Sequence, residues 1–316
     1  MTTLLSTSPA PGVAARDQPP RRGRPVGRRR ALAGWAYASP TAVFVLLFFV
    51  VPVLLVTQMS GSDWGLFAGN RGVNIPDNYV DAVDLRLFWP AVIFTLKYTA
   101  ITTVILIGLA LGLAMLVQES SRWTGFLRTA ILVPSALGLA SASLLFYALY
   151  SPQSGPFGPA LQDVGLADGP VSFLGTPTAA LWSTVALIVW RFAGFYMLLL
   201  LVAVQGISSD VYEAADMDGA SRWQIFTRIT LPLVRSSLAL CTILCVTGSL
   251  LAFDQFYILT KGGPDNSTMT IVQLIYNAAF QGGNNLGLAA AISVIVLAAL
   301  LVINAGQFRW LRGKGA

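Results

Sequence analysis

The side chains that most often carry enzyme chemistry are scarce in this sequence. It has no histidine and two cysteines, so the usual general base and the common zinc ligands are nearly absent. Cys241 and Cys245 lie one helical turn apart in an apolar run, which favours two small residues on a helix face over a metal or redox pair. The sequence has no GxxxxGK[ST] loop, so the chain itself is not expected to bind ATP in that way.

Charged side chains concentrate in one stretch, from Asp210 to Pro232. Only 11% of all residues are charged, where about 25% is usual, but this stretch holds four acids and two arginines. They are Asp210, Glu213, Asp216, Asp218, Arg222 and Arg228. Long apolar runs flank the stretch on both sides. We interpret this polar island as a docking surface for another protein, with a solvated loop as the plain alternative.

Two helix starts are predicted within the polar island. Each fits the capping-box pattern, in which a capping residue is followed three positions later by Glu or Gln. The pairs are Asp210 with Glu213 and Ser221 with Gln224. The sequence therefore predicts short helices over 211–218 and 222–231, joined by a turn at Gly219. Pro232 marks the boundary before the next apolar run.

The first of these helices presents one carboxylate beside two methyl groups, on Glu213, Ala214 and Ala215. Small side chains allow another surface to approach closely, and the acid supplies a charge for a basic partner. The alanines, the glycine and the paired caps indicate a compact helical hairpin and not a mere linker. This pattern is the physical basis for the docking interpretation.

The elements that position this stretch are predicted to be membrane spans. The sequence is 55% hydrophobic with a mean hydropathy of +0.68, and it contains runs of the roughly 20 apolar residues that a bilayer requires. The runs cover residues 36–57, 91–117, 126–150, 178–204, 234–259 and 286–308. Because backbone polar groups in lipid must be satisfied within each span, we predict an all-α polytopic membrane protein with six transmembrane helices.

The distribution of basic residues predicts the orientation of these spans. Most of the 20 basic residues fall on the side of the N-terminus, which the positive-inside rule assigns to the cytoplasm. They are Arg16, Arg21, Arg22, Arg24, Arg28, Arg29, Arg30, Arg122, Arg128, Arg222, Arg228, Arg235, Arg309, Arg312 and Lys314. Both termini and the polar island are thus predicted to be cytoplasmic.

Residues 1–30 differ in composition from everything that follows. They are rich in Pro, Gly, Ser and Arg without apolar periodicity, which predicts a disordered basic tail. A nucleic-acid arm is conceivable on charge alone, but the arginines adjoin an apolar run, so anchoring on the anionic inner membrane surface is the better account. Residues 31–316 are predicted to form the transmembrane domain, with the polar island in a loop at 205–233.

Two basic residues inside the predicted spans need an explanation, because a charge at a span's centre costs roughly 2.5–3.5 kcal/mol on insertion scales. Lys97 is near one end of its span and can extend to the headgroups. Arg191 lies about 20 Å from either end of its span at 1.5 Å per residue. It should face the bundle interior, either paired structurally or lining a solute path.

Four more residues are candidates for a solute path. Asp254 and Gln255 lie near one end of the fifth predicted span, with Trp190 and Tyr257 as aromatic neighbours that would suit stacking on sugar rings. The alternative for the aromatic residues is the interfacial belt or ordinary packing. Gly108 and Gly112 fit close approach of a neighbouring helix or ordinary membrane glycine.

The polar island resembles the EAA loop of binding-protein-dependent ABC importer permeases. The residues that carry the resemblance are Glu213-Ala214-Ala215, Asp218-Gly219-Ala220 and Ile229-x-Leu231-Pro232. A second stretch is similar to the segment after the fifth span in the sugar-importer branch. It reads Leu259-Thr260-Lys261-Gly262-Gly263-Pro264, followed by Ser267-Thr268. The resemblance covers nearly all of the chain after residue 30.

The resemblance implies a transport role with several partners. A cytoplasmic ATPase, present in two copies, would bind ATP and Mg and receive the EAA helix in a cleft, so this chain would need no cofactor or metal of its own and would not be an enzyme. A second permease subunit, expected to be a different chain, and an extracytoplasmic solute-binding protein would complete a complex in the bacterial cytoplasmic membrane. The coupling residues would be Glu213, Ala214, Ala215, Asp218, Gly219, Ala220 and Pro232.

The solute is expected to be a sugar, either a disaccharide such as trehalose or maltose or a longer oligosaccharide. Glycerol-3-phosphate or a related polyol phosphate is the alternative within the same branch, and Arg191 would suit a phosphate. A secondary transporter driven by an ion gradient would predict inverted repeats and buried carboxylates at the midplane, and neither is evident in the sequence. A membrane-embedded enzyme would need clustered catalytic groups, and the sequence shows none.

Overall fold

The computed structural model describes residues 28–165, 169–281 and 283–312, and helices dominate these ranges. Contacts divide the chain into two units, Met1–Val53 and Leu54–Ala316. Most of the predicted basic tail, residues 1–27, lies outside the described residues.

The first helix, α1, begins at Arg28. It comprises Arg28–Val45, a π-helical turn at Leu46–Val50, and Val51–Ser60. Its portion Trp35–Ser60 is long and apolar enough to cross a membrane, in agreement with the span predicted at 36–57.

The prediction of a purely α-helical fold is wrong at one place. Strands β1 (Ser62–Gly65) and β2 (Gly69–Val73) pair in antiparallel orientation. Gly69 has a φ of 68°, a left-handed conformation that glycine adopts without a steric cost. The strands are too short to produce a readable alternation of polar and apolar residues, which is why the sequence pattern does not predict them.

The remaining elements are helices. They are α2 Asp77–Asp84, α3 Phe88–Leu116, α4 Arg122–Leu132, α5 Leu139–Leu149, α6 Phe157–Asp163, α7 Pro177–Gln205, α8 Ser209–Met217, α9 Arg222–Ile225, α10 Arg235–Leu250, α11 Asp254–Leu259, α12 Ile271–Tyr276 and α13 Leu286–Arg312. Helix α9 continues through the π-helical turn Phe226–Thr230 to Leu231–Leu233, and a π-helical turn over Asn277–Gln281 follows α12.

Within the described residues, four helices are long and apolar enough to cross a membrane, in α1, α3, α7 and α13. Two bent pairs also pass this test, α4 with α5 at an angle of 96° and α9 with α10 at 69°. The described residues therefore hold four candidate spans, or up to six by length and composition when each bent pair is counted as one span.

The third predicted span, 126–150, is not a continuous helix. After α4 the chain makes a 3₁₀ turn over Val133–Ala136, where Pro134 lacks an N–H for a helical bond. Gly138 then adopts an extended conformation before α5. A Cβ at Gly194 on α7 would collide with the Ile131 carbonyl, so the bent segment packs directly against the backbone of α7.

The fifth predicted span, 234–259, is also interrupted. Helix α10 ends at Leu250 and a separate helix, α11, begins at Asp254. No proline or glycine marks this break, so hydropathy alone predicts one run. An acid in the first turn stabilises a helix start through the helix dipole, and Asp254 occupies that position.

Helices α3, α7 and α10 share one hydrophobic core. Small residues on α3, Ala110 and Ala114, are fully buried against Met197 of α7. Cys241 and Cys245 of α10 are free and buried in the same cluster. Their packing agrees with the interpretation of two small residues on one helix face.

A hydrogen-bonded cluster ties together the ends of α3 and α7. The Arg128 guanidinium on α4 donates to the carbonyl oxygen of Val117 at 2.6 Å and to that of Glu119 at 3.1 Å. Gln205, the last residue of α7, donates from Nε2 to the Gln118 carbonyl oxygen at 3.0 Å. A cation at a helix C-terminus also interacts favourably with the helix dipole.

Candidate functional site

The predicted polar island folds as a helical hairpin formed by α8 and α9. The start of α9 is predicted correctly: Gln224 N–H donates to Ser221 Oγ at 3.3 Å, and Ser221 N–H donates to Gln224 Oε1 at 2.8 Å. The cap predicted at Asp210 for the first helix is wrong. Ser208 caps α8 and accepts a hydrogen bond from the Asp210 N–H, because the preceding α7 ends early enough for the serine to reach the cap position.

The turn of the helical hairpin is at Gly219, as the sequence predicts. Gly219 has a φ of 73°, and its N–H donates to the Asp216 carbonyl oxygen at 3.0 Å. Ala220 N–H donates to the Ala215 carbonyl oxygen, also at 3.0 Å. These bonds satisfy the last carbonyls of α8 and close the turn with a left-handed residue.

The second helix of the hairpin extends further than the predicted 222–231. It passes through Pro232, which is exposed, and the chain bends at Val234 before α10. The π-helical turn at Phe226–Thr230 and the proline are both common causes of a helix kink. Tyr212 Oη and Thr230 Oγ1 are 3.2 Å apart and join the two helices.

The structure separates the predicted docking residues into exposed and supporting ones. Glu213, Ala214, Asp218 and Gly219 are exposed. Ala215 is only 8% exposed, and Ala220 is half-buried. The two alanines after Glu213 therefore differ: one methyl group faces outward and the other fills the inside of the hairpin.

The sequence reasoning missed two large apolar residues on the surface of the helical hairpin. Met217 is 88% exposed and Trp223 is 71% exposed. The Trp223 ring lies 5.7 Å from the ring of Phe226. Large exposed apolar side chains beside charged ones are typical of protein interaction surfaces. The signal was present in the sequence as apolar residues interrupting a polar stretch.

Within the described residues, the acids of the helical hairpin have no counterion within 4.0 Å. Among the described residues, the ion pair within 4.0 Å joins Arg71 and Asp63, in the β-hairpin. Arg222 and Arg228 are exposed and do not pair with the acids near them. The carboxylates thus remain available to a basic surface.

A second candidate site is a cavity of about 320 Å³ between the helices, which we call the interhelical cavity. Ligand pockets usually have volumes of roughly 300–1,000 Å³. Its walls come from α3, α7 and α10 and from the break between α10 and α11. Its polar lining consists of Tyr98, Tyr196, Cys245, Ser249, Asp254 and Gln255.

The interruption after Leu250 brings Gln255 into the bundle. Gln255 is 2% exposed, and its Nε2 donates to Tyr98 Oη at 3.3 Å. Its Oε1 is buried and has no hydrogen-bond partner among the residues that the structure describes. An unpaired buried carbonyl costs on the order of 1–3 kcal/mol, and this oxygen is free to accept a hydrogen bond within the cavity.

The candidate path residues do not all reach the interhelical cavity. Asp254 and Gln255 line it, whereas Arg191, Trp190 and Tyr257 are not in its lining. The Trp190 ring packs 5.1 Å from Phe146. The Tyr257 ring stacks on Phe253, which does line the cavity.

Arg191 lies at the midpoint of α7 and is half-buried. Its guanidinium carbon is 4.5 Å from the centroid of the adjacent Phe192 ring, and its Nε is buried without a hydrogen-bond partner. No ion pair involves Arg191 within the part of the chain that the structure describes. Lys97 of α3 is exposed.

Residues 104–309 match the family model described as the binding-protein-dependent transport system inner membrane component. This range includes both the helical hairpin and most of the cavity lining. The chain belongs to this family. It is a multi-pass inner membrane protein of the permease type, and the resemblance seen in the EAA stretch is confirmed at the level of the family.

Similar proteins align with almost the whole length of this chain. The trehalose/maltose transport system permease of Thermococcus litoralis is 32% identical over 89% of this chain and 96% of its own length. The lactose transport system permease of Rhizobium radiobacter is 31% identical over 87% of this chain and 92% of its own length. The diacetylchitobiose uptake system permease of Streptomyces coelicolor is 29% identical over 97% of this chain and 89% of its own length.

The fold also matches a solved transporter. A chain of a bacterial ABC transporter involved in the import of alginate superposes with a TM-score of 0.80, covering 91% of this chain and 98% of its own. The sequence identity is 24%. The match therefore establishes a shared overall fold.

Proposed function

We propose that the chain is a permease subunit of an ATP-driven ABC importer, and that it moves a disaccharide or short oligosaccharide into the cell. The observation that carries the proposal is the coexistence, within one family match, of an exposed acidic hairpin and a cavity with an unpaired acceptor. The printed names of the relatives, which include trehalose, maltose, lactose and diacetylchitobiose, support a sugar as the solute.

The proposed coupling element is the helical hairpin, facing the cytoplasm together with both termini. Glu213, Ala214 and Asp218 contact a cleft on a separate ATPase, with Gly219 shaping the turn and Met217 and Trp223 adding apolar contact. Ala215, Ala220 and Pro232 maintain the hairpin's shape. The ATPase, in two copies, binds ATP and Mg and hydrolyses the nucleotide.

The proposed complex contains two further proteins, a second and different permease subunit and an extracytoplasmic solute-binding protein. Two-sided transport needs a path that opens alternately, and two bundles rocking against each other provide one. Membrane lipid surrounds the assembly, and no nucleic acid takes part.

Neutral polar groups in the interhelical cavity favour a sugar over a polyol phosphate. A phosphate group needs a cation or several N–H donors. Arg191 does not line the cavity, whereas Gln255 and Tyr98 offer the mixed donors and acceptors that sugar hydroxyl groups require.

The test is uptake of labelled maltose, trehalose and lactose by the complete importer, purified with its ATPase, partner permease and binding protein and reconstituted in vesicles. We expect uptake of at least one of these sugars that requires ATP on the cytoplasmic side. Uptake that persists without ATP and collapses with the ion gradient would overturn the proposal.

The coupling residues are tested in the same vesicles. Because Glu213→Lys reverses a charge and Gly219→Asp places a side chain at a left-handed turn, each variant should lose ATP-driven uptake while inserting normally into the membrane. Insertion is checked by protease accessibility. Wild-type coupling in both variants would remove the basis for assigning the helical hairpin.

A further inference from the structure

Four aromatic side chains form a continuous cluster beside the interhelical cavity. They are Phe253, Tyr257, Tyr276 and Phe280, which we call the aromatic cluster. Ring centroids of successive members lie 5.1 to 5.4 Å apart, and the Phe253 and Tyr257 rings stack with an interplanar angle of 18°. The cluster joins the segment after α10 to α12 and its π-helical turn.

One end of the aromatic cluster belongs to the cavity and the other is open. Phe253 lines the interhelical cavity, while Phe280 is 54% exposed. Tyr257 and Tyr276 between them are half-buried. The rings thus form a continuous aromatic surface from the cavity lining at Phe253 to the exposed Phe280.

Polar atoms gather along one edge of these rings. Gln281 Nε2 donates to Tyr257 Oη at 3.1 Å. Tyr257 and Tyr276 have ring centroids 5.2 Å apart, and a side-chain hydrogen bond with Tyr257 raises the pKa of Tyr276 from its ordinary value.

Aromatic faces bordered by hydroxyl and amide groups suit a pyranose ring. The C–H groups on one face of the sugar pack on the aromatic ring, and the sugar hydroxyl groups exchange hydrogen bonds at the edge. The cavity of about 320 Å³ is near the lower end of the usual range for ligand pockets, roughly 300–1,000 Å³. A solute with several sugar rings extends beyond it.

We propose that the aromatic cluster is a second sugar-binding site at the mouth of the interhelical cavity, which holds one pyranose ring of a disaccharide or oligosaccharide while another ring occupies the cavity. This inference rests on the proposed function. It adds a separate site whose loss weakens solute capture without uncoupling ATP hydrolysis.

Site-specific labelling tests occupancy directly. In a background with Cys241 and Cys245 replaced by alanine, Phe280→Cys is labelled with a maleimide in the complete importer. The control is Phe308→Cys on α13, because Phe308 is 53% exposed and Phe280 is 54% exposed. Maltose or trehalose, whichever the wild type transports, should slow labelling of Phe280→Cys and leave Phe308→Cys unchanged.

A further arm separates the sugar from other occupants. Labelling is repeated with sugar-free binding protein and with no addition. Slow labelling of Phe280→Cys in every condition would mean that the partner permease covers the cluster, and protection by sugar-free binding protein would mean a protein contact. Either result overturns the proposal.

Transport kinetics provide the second test. Tyr257→Leu and Tyr276→Leu should each raise the KM for uptake about fivefold, the size expected for losing one aromatic stacking contact, with maximal rate and ATPase coupling preserved. Tyr276→Phe, which keeps the ring, should have a smaller effect. If the wild type transports the sugar and both leucine variants match it, the second site is wrong and the proposed function stands. If the wild type transports none of the sugars, the proposed function fails first.

Discussion

The helical hairpin and the interhelical cavity use polar side chains in opposite ways. The hairpin presents full charges to solvent with no internal counterions among the described residues, whereas the cavity has mostly neutral polar groups and a single acid, Asp254. Burying a charge in a membrane protein is expensive, so the charges lie where a partner protein can neutralise them. The difference supports the proposed roles, with the hairpin as a surface for a protein and the cavity as a surface for an uncharged solute.

The largest effect is expected where the bend after α4 packs against the backbone of α7. Gly194→Leu should prevent stable folding, because its Cβ would collide with the backbone at Ile131 and Leu132, and such overpacking costs on the order of 1–3 kcal/mol or more. Size-exclusion chromatography of the purified protein measures the loss. Gly108→Leu is the control, since nothing lies within 4 Å of a Cβ there, and equal damage in both variants would refute the packing argument.

A second contrast lies within the helical hairpin. Ala215→Leu should lower the thermal stability of the hairpin, because Ala215 is 8% exposed and the added atoms have no space. Ala214→Leu should leave stability unchanged and weaken binding of the ATPase, because Ala214 faces outward. Hydrogen exchange reports the first effect and ATPase co-purification the second. The reverse pattern would exchange the roles assigned to the two alanines.

In the cavity, Gln255→Leu should raise the KM for sugar uptake about tenfold, which corresponds to roughly 1.4 kcal/mol, because it removes an acceptor for the solute. Gln307→Leu is the matched control. Gln307 Oε1 is also buried and unpaired, but this residue does not line the cavity. Equal changes in KM would show that the effect is structural and not a solute contact.

The smallest effect concerns a helix cap. Ser221→Ala should destabilise the start of α9 by about 1 kcal/mol, because it removes the acceptor for the Gln224 N–H. Hydrogen exchange of the first turn of α9 should then be roughly fivefold faster. Ser209→Ala, at an exposed position in α8, should change exchange little. No difference between the two would contradict the capping role.

The sequence was informative where local chemistry determines the structure. Ser221, Gln224 and Gly219 specify a cap and a turn through bonds to residues close in the chain, and the structure has both. The long helices α3 and α7 follow from hydropathy because a continuous apolar run has few other stable forms in a membrane.

The interruptions and the cavity could not be predicted because they depend on contacts distant in sequence. The break before Asp254 has no proline or glycine. Gln255 becomes a cavity residue through a contact with Tyr98, 157 positions earlier in the chain. The bend after α4 is stabilised by Ser135 Oγ donating to the Arg191 carbonyl oxygen. These residues are distant in the sequence, so no local pattern predicts the bond, and hydropathy carries no information on such pairings.

Gln205 and Arg128 have a mechanical consequence. Gln205 ends α7, three residues before the cap of α8, and it shares the carbonyl group of Gln118 with the Arg128 cluster at the end of α3. A movement of the helical hairpin is therefore expected to be transmitted to α3 and α7 together. The short segment 117–119 would be the pivot about which both helices tilt as one rigid unit.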